Sequence, residues 1–402
     1  MPGGKHNIVI VGGGFAGVRA ALDLSKRIGN MPNHRIVLLD RNTFHLYTPW
    51  MYKYTATAVP KRQLKLPYST IFRHKSVEVI RGEVTTIDRH RKEIILGSKQ
   101  VIPYEMLLLA CGSVSNDFGI PGVKRYGMMC KTIEDAERIR TTIRERFLRF
   151  LENHQDGKVF QVLVGGGGVT GSEFAAQLHS YLKDTARTVA HDDGTFLIKI
   201  VEASPRLLGG MNDWVAQQAQ ERLASYRRIE LLLQHKIERV TAANISIATG
   251  DTLSYDVFVW TGGVQANPLV MAANLTTANR CRAKVTMSLQ SVDDPSVFVI
   301  GDSGLCINPT TQEQTYETIE SAYNQGALAA VNAERRVNGR PLLDFNHKLH
   351  GNVVPLRNNW AISTIFGARL RGKIGYMVFL LINLRYLLWI LPARDALERW
   401  FE

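Results

Sequence analysis

One glycine pattern, written twice, constrains this chain more than any other feature. Ile8-Val9-Ile10-Val11, a β-branched run typical of a buried parallel strand, stops at Gly12-Gly13-Gly14-Phe15-Ala16-Gly17, and a helical pattern follows from Val18 to Leu24. The second copy sets Phe160-Gln161-Val162-Leu163-Val164 before Gly166-Gly167-Gly168-Val169-Thr170-Gly171 and a predicted helix from Ser172 to Leu182. In each copy the first glycine allows a tight turn, the second lets backbone approach a pyrophosphate at a helix N-terminus, and the third lets helix and strand pack closely. Each copy also has its acid. Arg35-Ile36-Val37-Leu38-Leu39 ends at Asp40, and the strand pattern from Phe196 to Val201 ends at Glu202, both placed to accept hydrogen bonds from an adenosine ribose. A carboxylate at position 202 favours a free 2′-hydroxyl over a 2′-phosphate, so NADH is expected rather than NADPH, with Arg206 nearby as the counter-argument. Neither copy is a Walker loop, since Ser172 stands where lysine would be needed.

Two dinucleotide sites in one chain have a strong reason to coexist: passage of a hydride from a nicotinamide to a flavin. A single cofactor beside a vestigial second site is the plainer alternative. The rest of the composition narrows the class. With 402 residues, 45% hydrophobic and 21% charged, the chain is globular and large enough for two or three domains. Four cysteines, Cys111, Cys130, Cys281 and Cys306, are too sparse for a disulfide framework or a metal knuckle, so no metal is expected. The polar start from Met1 to His6 runs straight into a strand pattern without a leader, so the protein is expected to stay where it is made. A formal charge of +13 permits nucleic acid, anionic membrane or acidic ligands. No aromatic-interleaved basic motif or zinc finger supports nucleic acid.

Three further segments read as apolar strands ending in glycine, the edge at which α/β sheets bind ligands: Leu107-Leu108-Leu109-Ala110-Cys111-Gly112-Ser113, Trp260-Thr261-Gly262-Gly263-Val264, and Val297-Phe298-Val299-Ile300-Gly301-Asp302. With the two loops, they make the chain resemble the two-dinucleotide-fold flavoproteins, and within these the type II NADH dehydrogenases, which are single-subunit NADH:quinone oxidoreductases. The first segment is similar to a returning strand that usually reads A-T-G, with Cys111 in place of threonine; the second is similar to the family's W-A-A-G-V stretch beside the nicotinamide. The resemblance implies FAD at the first loop and NADH at the second. It places Arg41, Val84, Ala110, Gly112 and Gly301 at the flavin, Asp302 on its ribityl chain, and Gly262 and Gly263 by the nicotinamide. Phe44-His45-Leu46-Tyr47-Thr48-Pro49-Trp50 resembles an H-L-F-T-P-L stretch, which implies that Thr48 and Pro49 lie against the flavin, whereas His45 reads as a packed loop histidine. Glu173 matches a family glutamate between flavin and nicotinamide. It is expected on the first turn of its helix, positioning NADH and assisting proton movement, or else merely complementing a helix N-terminus.

The acceptor is approached through absences and substitutions. Asp40 is not followed by the C-x-x-x-x-C pair of disulfide reductases, so electrons are expected to pass directly from flavin to an external acceptor. Where the family shows A-Q-x-A-x-Q along a quinone pocket, this chain has Ile319-Glu320-Ser321-Ala322-Tyr323-Asn324, opening a helical pattern expected from Ser321 to Val337. Glu320 is a candidate acid for quinone reduction, with Asn324 beside it.

After Arg340-Pro341 the composition changes. Arg369, Arg371 and Lys373 precede an apolar run from Ile374 to Leu391 that is long enough to suggest a membrane span. Arg385 inside it, with Tyr376, Tyr386 and Trp389 as amphipathic anchors, favours a segment lying in the interface of an anionic membrane over a span or a homodimer contact. The expectation is an α/β protein with two Rossmann-like dinucleotide-binding domains and a C-terminal membrane-associating helical segment. Residues 1–115 and 282–340 would bind FAD, 116–281 NADH, and 341–402 the membrane. Its function would be non-proton-pumping transfer from NADH through flavin N5 to a membrane quinone, ubiquinone or menaquinone, at the cytoplasmic face of the cell membrane. The rivals are a flavin-dependent NADH oxidase or carrier-protein reductase, and a membrane-bound nucleotide sensor without quinone turnover.

Overall fold

Alternating apolar strands and amphipathic helices build the same parallel sheet twice. The structure is a computed structural model describing residues 6–56, 59–153, 157–191, 193–346, 348–357 and 359–401, so the polar start before His6 lies outside the described residues. The first sheet runs in the order Val297–Val299, Met106–Leu109, His6–Val11, His34–Asp40, Glu78–Arg81, with every neighbouring pair parallel. The second runs Met128–Met129, Val257–Trp260, Phe160–Gly165, Phe196–Glu202, Ile229–Leu233, again all parallel. Helices cover the faces, so the central strands are buried on both sides and carry unbroken Val/Ile/Leu runs rather than alternation. Val84–Asp88, Glu93–Leu96 and Val101–Pro103 form an antiparallel three-stranded crossover. The second half has an equivalent meander in Ile237–Val240, Asn244–Ile247 and Thr252–Ser254.

The halves are joined where Ser113–Ser115 pairs antiparallel with Val264–Ala266, so two passes of the chain cross side by side. Beyond this ribbon, Ala266, Val270, Ala273 and Leu275 join the core of the first half. The C-terminal region is shared between the halves. Its antiparallel sheet, Gly351–Pro355, Ala361–Ile365 and Ala368–Gly372, contributes Val354, Leu356 and Ile362 to the second core. The tail helix Lys373–Ile390 and the short helix Ala393–Phe401 pack on the first.

The tail helix is apolar all round, and its two faces have different fates. Gly375, Phe379, Asn383, Leu387 and Ile390 form a buried stripe at helical spacing against the body. Ile374, Met377 and Leu381 stand about 60% exposed on the other side, in line with the exposed Arg385 and Leu388. Among the described residues this is the one helix long and apolar enough to cross a membrane.

Candidate functional site

Both glycine loops sit at the carboxyl edge of their sheets and share one hydrogen-bond plan. Gly12 and Gly166 take φ of +100° and +110°, a region that favours glycine, and a side chain on either would strike the returning strand at Ala110 or Gly262. The amide of each donates back to the second strand, at Leu39 O (2.8 Å) and Val201 O (2.9 Å). Asp40 then accepts from the Gly13 and Asn42 amides at 2.6 and 2.7 Å, and Glu202 accepts from the Gly167 and Ser204 amides at 2.7 Å each. The acids thus tie the loops to the strand ends. Gly14 and Gly168 are the N-caps of helices Phe15–Ile28 and Val169–Thr188. Neither has a capping side chain, and a Cβ added to either would meet nothing within 4 Å. Each loop is therefore an uncapped helix N-terminus facing open space, as phosphate binding needs.

The second helix starts three residues before the predicted Ser172, because Val169, Thr170 and Gly171 are already helical. This corrects the expectation for Glu173. It is the fifth helical residue, one turn in, and the first turn holds no acid, so complementing the helix N-terminus is not its role. Burial pushes its carboxyl well above the usual carboxylate range, and Lys53 opposes this only in part. Likewise the helix Ile319–Val337 begins two residues before the expected Ser321, capped by the Thr318 hydroxyl, which accepts from the Ser321 amide at 3.2 Å.

Around the first loop the remaining expected residues converge. Ala110 is buried behind Gly12, and Gly112 and Gly301 turn at positive φ. Asp302 accepts from the Ser113 hydroxyl at 2.5 Å, and Lys131 donates to the same hydroxyl at 2.7 Å. Thr48 and Pro49 form a half-buried 3-10 turn; Arg41 is exposed beyond Asp40, and Val84 begins the crossover sheet. At the second loop, Gly262 and Gly263 follow Trp260, whose indole nitrogen donates to Asn116 O at 2.8 Å. Arg206 is engaged by Asp213 and by Gly209 O and Met211 O.

Glu320 and Asn324 are placed apart from the loops. On their helix, Ala322, Gln325 and Gly326 face Gly301 and Ala16, roughly opposite Glu320 and Asn324. The Glu320 carboxylate instead takes the His350 ring and, at 3.1 Å, its amide, and Asn324 donates to Glu320 O at 2.8 Å.

Several residues escaped the sequence reading. Gln325, fully buried, accepts from the Gly301 amide at 2.9 Å and fixes the turn before Asp302. The carbonyl of Gly13 accepts from the Tyr68 hydroxyl at 3.0 Å and the His45 ring at 2.9 Å, and the far nitrogen of His45 is 2.9 Å from the Tyr386 hydroxyl. Tyr47 stacks on Tyr386 at 5.7 Å and donates to Asn383. The tail helix is thereby hydrogen-bonded, through one fully buried histidine, to the first nucleotide loop. Burial lowers His45 to about 4, so the ring is neutral at physiological pH. The separation of 341 positions between His45 and Tyr386 hides this network, and no local motif signals it. Phe15 packs edge-on against His45 (4.7 Å) and near Tyr386 (5.0 Å), so its ring joins the same contact between loop and tail.

Residues 6–326 match the pyridine nucleotide-disulphide oxidoreductase family. The chain belongs to this family. Its cofactors are FAD and NADH, and the two uncapped N-termini with their acids, together with the hydroxyl-held Asp302, suit them. The type II NADH:quinone oxidoreductase of Staphylococcus haemolyticus is 26% identical over 92% of both chains, and that of Staphylococcus aureus strain NCTC 8325 is 24% identical over the same shares. Among solved structures, NDH2 from Plasmodium falciparum in complex with NADH superposes with a TM-score of 0.85 at 17% identity, covering 99% of this chain and 97% of that one. The sulfide:quinone oxidoreductase of Aquifex aeolicus gives 0.76 at 17% identity over 98% and 92%. This oxidoreductase has no cysteine pair for a redox disulfide among its described residues, where all four cysteines are free. Burial pushes the Cys111 and Cys130 thiols up to about 11, far from thiolate reactivity.

Proposed function

We propose that this protein is an FAD-dependent NADH:quinone oxidoreductase that works from a membrane surface. The observation that carries this is the pair of matched loops with different anchorage. The first is braced through the Gly13 carbonyl by Tyr68 and His45 and tied through His45 to the tail helix, as suits a resident flavin, while the Gly167 carbonyl of the second takes the Leu208 amide and the Ser172 hydroxyl, as suits a nucleotide that exchanges. The names of the staphylococcal relatives support the same reading.

Bound FAD supplies the exchange between a two-electron hydride donor and the acceptor. The chain's own residues orient the reactants. The amides at Gly14–Gly17 and Gly168–Gly171 receive pyrophosphates, Asp40 and Glu202 the riboses, and Asp302, held by Ser113, the ribityl chain. Glu173 keeps a proton beside the second loop. The half-buried Thr48–Pro49 turn lines the flavin side.

The exposed stripe Ile374, Met377 and Leu381 is the membrane-facing surface, with Arg369, Arg371 and Lys373 at headgroup level. Phe366, 80% exposed at the hairpin tip just before this cluster, is a further anchor. The acceptor then arrives from the lipid, at the cytoplasmic face of the cell membrane. Glu320, paired with His350, exchanges protons with water on the acceptor side, and Glu320→Gln should alter the pH profile of quinone turnover.

Anaerobic stopped-flow absorbance tests the reading: NADH should bleach the flavin quickly, NADPH slowly, and a short-chain quinone should restore it. Flavin that bleaches but is not restored by quinone defeats the proposal.

A further inference from the structure

We propose that Lys53 is a catalytic residue of the acceptor half-reaction, donating a hydrogen bond and then a proton to a carbonyl oxygen of the quinone. This rests on the proposed quinone reductase reading and adds a residue to it.

Lys53 lies on the short helix Met51–Thr55, immediately after the Thr48–Pro49 turn, where three parts of the molecule meet. The helix packs against Val169–Thr188, which carries Glu173, and against Ile133–Glu152. From the other side the tail helix presents Tyr376 and Phe379. The ammonium sits 5.8, 5.7 and 5.5 Å from the ring centres of Trp50, Tyr376 and Phe379, and 3.4 Å from the Tyr376 hydroxyl. A cation held among three aromatic rings is kept in place without being consumed by a close carboxylate. The same rings suit the flat, apolar head of a quinone, whose oxygen would be met by an N–H. The ionisable groups around Lys53 are Glu173 from the second-loop helix, Tyr376 from the tail and Tyr52 beside it on its own helix. Burial raises Tyr52, with Glu173 and Tyr376 adding to the effect. Tyr52 therefore stays neutral and able to donate.

The stoichiometry requires such a donor. Converting quinone to quinol takes two electrons and two protons, and the NADH hydride brings both electrons but only one proton. Lys53 gives the other: an N–H bond breaks, an O–H bond forms, and a neutral amine remains. The Glu173 carboxyl, held protonated by burial, returns a proton to that amine and is itself recharged from water. The net reaction is NADH plus quinone plus one proton giving NAD⁺ and quinol.

The test compares quinone with ferricyanide, a one-electron acceptor that needs no proton, on the FAD-loaded full chain. Lys53→Met should lower the ratio of quinone to ferricyanide turnover by about tenfold to hundredfold, mainly in kcat. It should also change the solvent deuterium isotope effect on reoxidation by quinone, because another group or water must then supply the proton. Lys53→Arg keeps the charge but cannot give up a proton, so it should be as poor as methionine. Equilibrium dialysis of a short-chain quinone against the oxidised protein without NADH should show about threefold to tenfold weaker binding to Lys53→Met, for one lost hydrogen bond. An unchanged ratio, rescue by arginine or unchanged quinone binding would each overturn the assignment. If wild type fails to reduce quinone at all, the fault lies with the proposed function and not with Lys53.

Discussion

The loops at residues 12–17 and 166–171 are near copies in backbone and hydrogen bonding, yet their surroundings differ sharply. Around the first, the Gly13 carbonyl takes two buried side-chain donors, and His45 links it to a helix from the far end of the chain. Around the second, the Gly167 carbonyl is met by the Leu208 amide and the Ser172 hydroxyl, both from the same half of the molecule. The difference teaches that binding geometry is written in the loop, whereas residence time is written in what covers it. A nucleotide under a buried, multiply bonded cover leaves only when the cover opens.

The largest expected effects come from breaking either copy at its turn. Gly12→Ala meets the Ala110 carbonyl and a positive φ costing about 1–2 kcal/mol for alanine even without the collision, so the protein should be recovered without flavin, as read by absorbance. Gly166→Ala should keep its flavin and lose about hundredfold or more in the rate of bleaching by NADH, through misplacement of the reacting groups. Equal flavin loss in both variants would erase the distinction between resident and exchanging sites.

Next in size is the cover itself. His45→Gln leaves the Tyr386 hydroxyl poorly matched, at about 1–3 kcal/mol, and should speed flavin release on dilution by about tenfold or more, with little change in NADH binding. His45 also gives the first site a pH signature. It is neutral in the fold down to about 4, whereas the unfolded chain takes up that proton from 6.5, so the unfolded state binds more protons in that window. Stability should therefore fall as pH drops from 6.5 toward 4, by at most about 3 kcal/mol, and the variant should lose this slope in denaturant titrations.

Glu173 gives the second site the opposite sign. Its carboxyl is protonated in the fold above the usual value near 4.5, so the folded state binds more protons there and stability falls as pH rises through the elevated value. Glu173→Gln should flatten that alkaline decline. The smallest effect belongs to the exposed Arg206–Asp213 pair: Asp213→Asn should raise NADPH use relative to NADH by about twofold to fivefold.

The same contrast decides what was legible in the sequence. Gly12, Gly14, Gly17, their second-copy equivalents, Asp40 and Glu202 act through local backbone geometry, and their spacing carried them. The start of the Glu173 helix was misjudged because glycine is a poor helix former by propensity, yet Gly171 is helical, held by close packing on the Gly166 carbonyl. Gln325 meets Gly301 across 24 positions, and Lys53 and His45 meet the tail helix across more than 300, and no periodicity encodes such meetings. The apolar tail was visible, but its split into a buried and an exposed stripe was not, because both faces are equally apolar.

The paired strands Ser113–Ser115 and Val264–Ala266 have a mechanical consequence. A single connecting chain would let the two halves swivel, whereas two chains bonded edge to edge behave as a strap, which bends far more readily than it twists. With the C-terminal region packed on both cores, this strap should resist twisting of one half against the other, so the two loops keep their alignment.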